Sequence, residues 1–158
     1  MRLSSVLPES AIVVGLDGLD KWAVIERLTD LLVQSGQAQP SWRDAILKGL
    51  TEREKQSSTG MQDGFAIPHS RMDDPIQNTL VSLATLKEGM DFDAIDGQPT
   101  QMVVCLITPK KQNREHLRVL AGIAQLFARS EFRGALRTAK SPAEVLAVVR
   151  EEESKFAS

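Results

Sequence analysis

The chain is organised around the stretch Ser58-Thr59-Gly60-Met61-Gln62-Asp63-Gly64-Phe65-Ala66-Ile67-Pro68-His69-Ser70-Arg71, a glycine-bounded polar turn followed by a short apolar run, a proline and a histidine. The apolar run is too short for a helix, and Pro68 lacks the backbone N–H that a sheet ladder needs. We therefore expect a short strand with His69 at its exit. Strand ends often carry the chemistry of α/β proteins, because the sheet fixes side chains that remain accessible.

The chain has two histidines, His69 and His116. An imidazole with the ordinary pKa near 6.5 is mostly neutral at pH 7, so one ring nitrogen keeps a lone pair that can attack phosphorus. His116 follows Asn113 in the first turn of an expected helix, where free N–H groups and the positive end of the helix favour an anion. Taken alone, an isolated Pro-His such as Pro68-His69 favours a surface position beside a turn, and His116 is equally compatible with a solvated position in the first turn of its helix.

Composition indicates one globular domain. The 158 residues are 42% apolar and 25% charged, and the net charge of −2 provides no overall electrostatic attraction for nucleic acid or an anionic membrane. Cys105, the single cysteine, lies in an apolar run and is expected to be a buried strand residue, not a catalytic thiol. We find no signal-peptide pattern and no apolar run near the roughly 18 residues needed to span a bilayer, so we expect a cytoplasmic protein without direct membrane insertion.

The elements before the central stretch are predicted from periodicity. Residues Ala11–Val14 are typical of a strand, and a core-facing helix is expected over Lys21–Gln34 before a glycine stop. A second helix is expected to start at a Ser41 cap and to run to about Thr51. Its charged end brings Arg53 close to the central stretch, where a guanidinium can offer paired donors to a phosphate or simply be solvated.

The elements after the central stretch alternate in type. Strands are expected over Thr79–Leu86 and Met102–Ile107, joined by a turn-rich connection with the hairpin signal Asp96-Gly97. The second strand does not alternate in polarity, which indicates burial on both faces. A helix is expected over Asn113–Phe127. Its predicted main apolar stripe is Leu117, Leu120, Ala124 and Phe127, and a second face carries Val119, Ile123 and Leu126.

The last part of the chain is expected to be helical and then frayed. A short helix is predicted over Glu131–Ala139, and another starts at Ser141, a serine cap followed by a proline at the first helical position. Residues Glu151–Ser158 are expected to form a fraying tail. Helices interleaved with buried strands indicate an α/β fold built in layers, in which the strand order is left open.

Several short motifs occur in order along nearly the whole chain: Arg53-Glu54, Ser58-Thr59-Gly60, Gly64 to His69, Asp93 to Pro99, Pro109 and Glu115-His116-Leu117. Together they resemble the enzyme IIA proteins of the bacterial phosphotransferase system, of the fructose, mannitol and nitrogen-regulatory type. The resemblance implies a single domain over residues 1–158, with a mixed, mostly parallel central sheet and helices on both faces. Leu3–Leu7 and Thr51–Lys55 look most similar to the nitrogen-regulatory branch.

The resemblance also implies the roles of three residues. His69 is expected to accept a phosphoryl group from the histidine-containing phosphocarrier protein, and His116 and Arg53 are expected to compensate the charge on the phosphoryl oxygens. No cofactor is implied, because the phosphoryl group derives from phosphoenolpyruvate. Five further residues of this region are weaker candidates for neighbours of the phosphoryl group, and turn formation explains several of them equally well: Ser58, Thr59, Gly60, Gly64 and Arg71.

Alternative functions differ in what His69 does. A regulatory phosphocarrier would control target proteins through its phosphorylation state, whereas a sugar-transport component would pass the phosphoryl group to a permease IIB domain. A remote alternative is a metal-dependent hydrolase using both histidines and one of Asp63, Asp73 or Asp74, although the chain lacks an H-E-x-x-H pair. A serine hydrolase is less favoured still, because no G-x-S-x-G elbow occurs.

Overall fold

The computed structural model describes residues 2–156 and is built on a mixed five-stranded sheet. The strands are Ile12–Leu16 (β1), Phe65–Ala66 (β2), His69–Met72 (β3), Leu80–Met90 (β4) and Thr100–Pro109 (β5). Strand β5 is central: it runs antiparallel to β4 and parallel to β2 and β3, while β4 pairs with β1 in parallel. The predicted mixed, mostly parallel sheet is confirmed.

Helices cover both faces of this sheet, as predicted. They are Lys21–Gln34 (α1), Arg43–Gln56 (α2), Asn113–Phe127 (α3), Ser130–Thr138 (α4) and Pro142–Ser154 (α5). Helices α1 and α2 pack with one core, and α3, α4 and α5 pack with the other. Along β5, Val104 and Leu106 belong to the α3 side, whereas Cys105 and Ile107 belong to the α1 side. This strand is therefore buried on both faces, as its unbroken apolar run predicted.

His69 does not lie at a strand exit, so that prediction was wrong. Pairing with β5 resumes immediately after Pro68, and His69 opens β3 opposite Leu106. The proline only interrupts the ladder locally: its carbonyl still accepts from the Leu106 N–H, and Ile67 N–H donates to Thr59 O in the preceding loop. A missing N–H therefore separates two short strands here without ending the edge of the sheet.

The buried stripe of α3 also differs from the predicted one. Leu117 of the predicted main stripe is 65% exposed, whereas the predicted second face, Val119, Ile123 and Leu126, is buried together with His116 and Phe127. Both stripes have helical spacing, and they differ by a rotation of about one residue, or roughly 100°. Periodicity alone does not distinguish them, because apolar residues occupy both faces.

Three further predictions concern element ends. Ser41 does not cap α2, since it lies within a 3₁₀ turn and the helix starts at Arg43 and continues to Gln56, beyond the expected Thr51. The predicted fraying after Glu151 is wrong, because α5 continues to Ser154 and the carboxylates of Glu152 and Glu153 are buried. Residues 157–158 of that predicted tail lie outside the described part of the chain.

Two other predictions about turns are confirmed. The Ser141 hydroxyl caps α5 by accepting from Glu144 N–H, and the Asp96-Gly97 signal lies in the connection between the antiparallel strands β4 and β5. Gly97 has a positive φ of 71°, the conformation for which glycine is favoured. Within residues 2–156, no helix combines the length and the apolar character needed to cross a membrane.

Candidate active site

The two histidines lie side by side, although 46 residues lie between them in the chain. His69 begins β3, and His116 lies in the first turn of α3, which follows β5. Because β3 and β5 are neighbouring parallel strands, the start of α3 is brought to the same part of the sheet edge as His69. The ring centroids are 5.8 Å apart, with an interplanar angle of 48°.

A backbone hydrogen bond orients the His69 ring. Its Nδ1 lies 2.7 Å from the carbonyl oxygen of Ile67. A carbonyl oxygen can only accept, so Nδ1 carries the proton and donates it. In the neutral ring, Nε2 therefore keeps the lone pair. The half-buried His69 consequently presents Nε2 as the nucleophilic nitrogen.

Both histidines are held in the neutral form at pH 7. Burial lowers the pKa of His69 from its ordinary value, the charge of Arg53 lowers it further, and the hydrogen bond to Ile67 partly opposes these effects. Burial is also the main cause that lowers the pKa of His116, assisted by the proximity of the titratable His69 ring and by the positive charge of Arg71. A neutral His69 is the form whose lone pair can attack phosphorus.

Two arginines flank the histidine pair from different elements. Arg53, at the last turn of α2, donates from Nη1 to Ser57 O at 2.8 Å. Arg71, on β3, donates from Nη2 to Lys110 O at 2.6 Å and also to the Asn113 side chain, which joins β3 to the start of α3. The predicted cation Arg53 therefore lies close enough to His69 to act on its charge state, and Arg71 does the same for His116.

The predicted phosphate neighbours Ser58 and Thr59 have their hydroxyl protons engaged within the protein. Ser58 Oγ donates to Phe92 O at 2.6 Å, which attaches the loop to the connection between β4 and β5. Thr59 donates to the Glu54 carboxylate from both its N–H, at 3.0 Å, and its Oγ1, at 2.6 Å. These bonds build the loop before β2, and contact of either side chain with a phosphoryl group stays a prediction.

The two glycines of this region shape the same loop. Gly60 N–H donates to Ser58 Oγ at 3.0 Å, and a Cβ at Gly60 would lie 2.8 Å from both Ala94 Cα and Phe92 O. Only glycine lets these two backbone segments approach so closely. Gly64 has a positive φ of 84° immediately before β2. Both positions therefore have a structural requirement for glycine, and a role toward phosphate stays a prediction.

A buried ion pair beneath the loop was missed by the sequence reasoning. Lys21 Nζ lies 2.9 Å from Glu54 Oε1 and 3.1 Å from Asp93 Oδ2, and the side chains of Lys21 and Glu54 are buried. This pair connects the first residue of α1, the last turn of α2 and the connection after β4. A lysine at the first position of a helix opposes the positive helix end, and that unfavourable placement is a signal that could have pointed to a buried acidic partner.

The residues that a metal-dependent hydrolase would need are not assembled. Asp73 and Asp74 pair with Lys110 and Lys111 on the surface, and Asp63 lies 3.9 Å from Arg133. In the part of the chain that the structure describes, no three histidine, cysteine, aspartate or glutamate side chains are grouped in a way that could hold a metal ion. Burial raises the pKa of Cys105 to about 12, which makes a thiolate nucleophile there unfavourable.

Similar proteins fall into nitrogen-regulatory and sugar-specific groups. A nitrogen regulatory protein of Pseudomonas aeruginosa is 33% identical over 88% of this chain and 88% of its own length. A fructose-specific EIIA component of Haloferax volcanii is 32% identical over 94% of this chain and 95% of its own length. The fructose-specific EIIABC component of Bacillus subtilis is 28% identical over 97% of this chain, but the chain spans only 24% of that protein's length.

A solved structure and a family match support the same relationship. The crystal structure of the nitrogen regulatory protein IIA-Ntr from Neisseria meningitidis superposes with a TM-score of 0.84 at 31% identity, covering 93% of this chain and 98% of that one. Residues 5–152 match the family described as "Phosphoenolpyruvate-dependent sugar phosphotransferase system, EIIA 2". The match covers nearly all of the sheet and the helices that surround the two histidines. The chain therefore belongs to the EIIA 2 family of the phosphoenolpyruvate-dependent sugar phosphotransferase system.

Proposed function

We propose that this protein is a regulatory phosphocarrier of the nitrogen-regulatory type, which accepts a phosphoryl group on His69 from the histidine-containing phosphocarrier protein. The phosphoryl group originates from phosphoenolpyruvate, so the proposal needs no bound cofactor. The observation that carries it is the hydrogen bond from His69 Nδ1 to Ile67 O, which leaves Nε2 as the nucleophile beside a second histidine. The family and the nitrogen-regulatory relatives support the assignment.

The proposed transfer moves one phosphoryl group between two imidazoles. The Nε2 lone pair of neutral His69 attacks phosphorus on the donor's phosphohistidine, while the bond from phosphorus to the donor's ring nitrogen breaks and its electron pair stays on the donor. The donor's second ring nitrogen carries a proton in this scheme, so the donor leaves as a neutral imidazole. His69 keeps its proton on Nδ1, hydrogen-bonded to Ile67 O, so the step requires no proton transfer.

The surrounding residues have proposed roles in this step. Transfer between two nitrogens needs alignment of the reacting atoms and compensation of charge on the three phosphoryl oxygens. His116 lies within reach of a group carried by His69, and Arg53 supplies a positive charge near the same ring. We assign both residues to stabilising the phosphoryl oxygens.

The experiment is phosphoryl transfer from labelled phosphoenolpyruvate through enzyme I and the phosphocarrier protein to this chain. Acid-labile label is expected on the wild type and is expected to be absent from His69→Ala. Urea unfolding of the variant serves as the control for folding, because His69 is half-buried and its ring packs near His116. A wild type that takes up no label, or a His69→Ala variant that takes it up as fast as the wild type, contradicts the proposal.

Sugar transport is the second candidate function, and the fructose-specific relatives favour it. The chemistry on His69 would be the same, but the phosphoryl group would pass on to a permease IIB domain. Labelled protein mixed with a fructose-type IIB domain and fructose distinguishes the two functions. Sugar-dependent loss of label from His69 supports transport, whereas binding of target proteins that depends on phosphorylation of His69, without onward transfer, supports regulation.

A further inference from the structure

Thr108 is a buried polar residue that makes direct contact with the proposed site. It lies near the end of β5, opposite Arg71 of β3, and it is fully buried. Its Oγ1 lies 2.7 Å from Nδ1 of His116. Thr108 follows Val104 and Leu106 on the side of the strand that faces α3, so alternation along β5 brings its hydroxyl to His116.

The direction of this hydrogen bond follows from what a buried hydroxyl requires. Among residues 2–156, the only hydrogen-bond partner of Thr108 Oγ1 is His116 Nδ1. If the imidazole donated, the hydroxyl proton would be buried without an acceptor, which costs free energy. The hydroxyl therefore donates to Nδ1. In the neutral ring, the His116 proton is then on Nε2.

We propose that Thr108 is a positioning residue that holds neutral His116 in the tautomer with its proton on Nε2, so that His116 donates a hydrogen bond to the phosphoryl group carried by His69. This inference rests on the proposed function. The two rings then have complementary roles: His69 has its proton on Nδ1 and a lone pair on Nε2, and His116 has the reverse arrangement.

This tautomer matters because neutral His116 can then donate a hydrogen bond to the phosphoryl group without first taking up a proton. Burial and the charge of Arg71 favour the neutral form of His116, and a neutral ring in the opposite tautomer would present only a lone pair to the phosphoryl oxygens. A lone pair facing a negatively charged oxygen is repulsive. The tautomer selected by Thr108 replaces that repulsion with a hydrogen bond at the point where charge has to be stabilised.

The first measurement is the tautomer itself. Spectra that correlate the ring ¹⁵N and ¹H nuclei of histidine-labelled protein at pH 7 distinguish a protonated from an unprotonated ring nitrogen. We expect Nε2 of His116 to be protonated and Nδ1 to be an acceptor, with Nδ1 shifting in Thr108→Val and returning toward the wild type in Thr108→Ser. Finding the proton on Nδ1 of wild-type His116 overturns the proposal, whether or not the protein carries phosphate.

The second measurement is the rate of phosphoryl transfer to the same variants. We expect Thr108→Val to slow transfer about 10-fold to 100-fold, because the donor is no longer held in place, and Thr108→Ser to recover most of the rate. Thr100→Val is the matched control, since Thr100 lies at the other end of β5 and its buried hydroxyl has no hydrogen-bond partner within the described residues. This control is expected to transfer at the wild-type rate.

The outcomes separate this inference from the proposed function. Wild type that takes up label together with a Thr108→Val variant that transfers as fast as Thr100→Val overturns the inference and leaves the phosphocarrier function intact. Wild type without label overturns the phosphocarrier function and the donor role with it, while the ring spectra still determine the tautomer of His116. Urea unfolding of all three variants shows whether a lower rate reflects loss of the folded state.

Discussion

The two histidines of the site are supported in different ways. On the His69 side, a buried ion pair between Lys21 and Glu54 lies beneath the loop that precedes β2. Glu54 also accepts two hydrogen bonds from Thr59 of that loop. On the His116 side, the buried contact to the ring itself is the hydroxyl of Thr108. One half of the site is therefore built on charges removed from water, and the other on a bond between neutral groups.

This difference predicts where the molecule is sensitive. A buried ion pair adds little net stability over a well-packed apolar pair, but removal of one partner leaves an uncompensated charge and is strongly destabilising. Loss of a neutral hydrogen bond has a smaller effect on stability and acts mainly on the geometry of the ring that it holds. We thus expect changes to the Lys21–Glu54 pair to alter folding, and changes to the Thr108 hydroxyl to alter chemistry.

The largest expected effect is on stability. Lys21→Met leaves the Glu54 carboxylate buried without its cation, and we expect the free energy of unfolding to fall by about 3–5 kcal/mol. Urea unfolding measures this change. Lys87→Met is the matched control, because Lys87 is 68% exposed and lies 3.9 Å from Asp17, so its loss should change stability by less than about 1 kcal/mol. Equal losses in the two variants would contradict the expectation that the buried Lys21–Glu54 pair is more sensitive than an exposed pair.

The next effect is on transfer rate. His116→Ala removes one proposed donor to the phosphoryl oxygens, and we expect label to reach His69 about 100-fold more slowly without being abolished. Rapid-quench measurement of labelled protein against time gives the rate. A complete loss of label would make His116 as indispensable as His69 and would contradict the division between nucleophile and donor.

A smaller effect concerns the charge on each ring. Arg53 contributes to the lowered pKa of His69, and Arg71 contributes to the lowered pKa of His116. Arg53→Gln should therefore raise the pKa of His69, and Arg71→Gln should raise that of His116, with little effect on the other ring in each case. Titration of the two ring resonances by NMR provides the measurement. If either substitution raises the pKa of both rings equally, the prediction that each arginine acts on one ring is wrong.

The smallest expected effect is on the pH dependence of stability. Both histidines have pKa values below the ordinary 6.5 in the folded protein, so in the window just below pH 6.5 the unfolded chain binds more protons than the folded one. Their contribution therefore lowers stability as pH falls through that window and is constant above it. In urea unfolding at several pH values, the double variant His69→Gln, His116→Gln should show a flatter profile than the wild type. An unchanged profile would contradict the lowered pKa values.

Much of the fold was predictable because it depends on local patterns. The periodicity of α1, the Ser141 cap and the unbroken apolar run of β5 each identify their element from a few neighbouring residues. Both apolar faces of α3 were predicted, but the wrong one was taken as the main stripe, because packing on the sheet selects the face that contains His116 and Val119. Local patterns specify an element, whereas its rotation depends on distant partners.

The sequence by itself determined the order of helices and strands, the buried central strand, the family resemblance and the two histidines as candidates for one site. Tertiary structure alone decided that His69 opens a strand, that Ile67 O holds its Nδ1, and that Thr108 reaches His116. The physical reason is that hydrogen-bond partners of buried polar groups are chosen by proximity in space. A tautomer therefore depends on contacts that residue types and spacing do not encode.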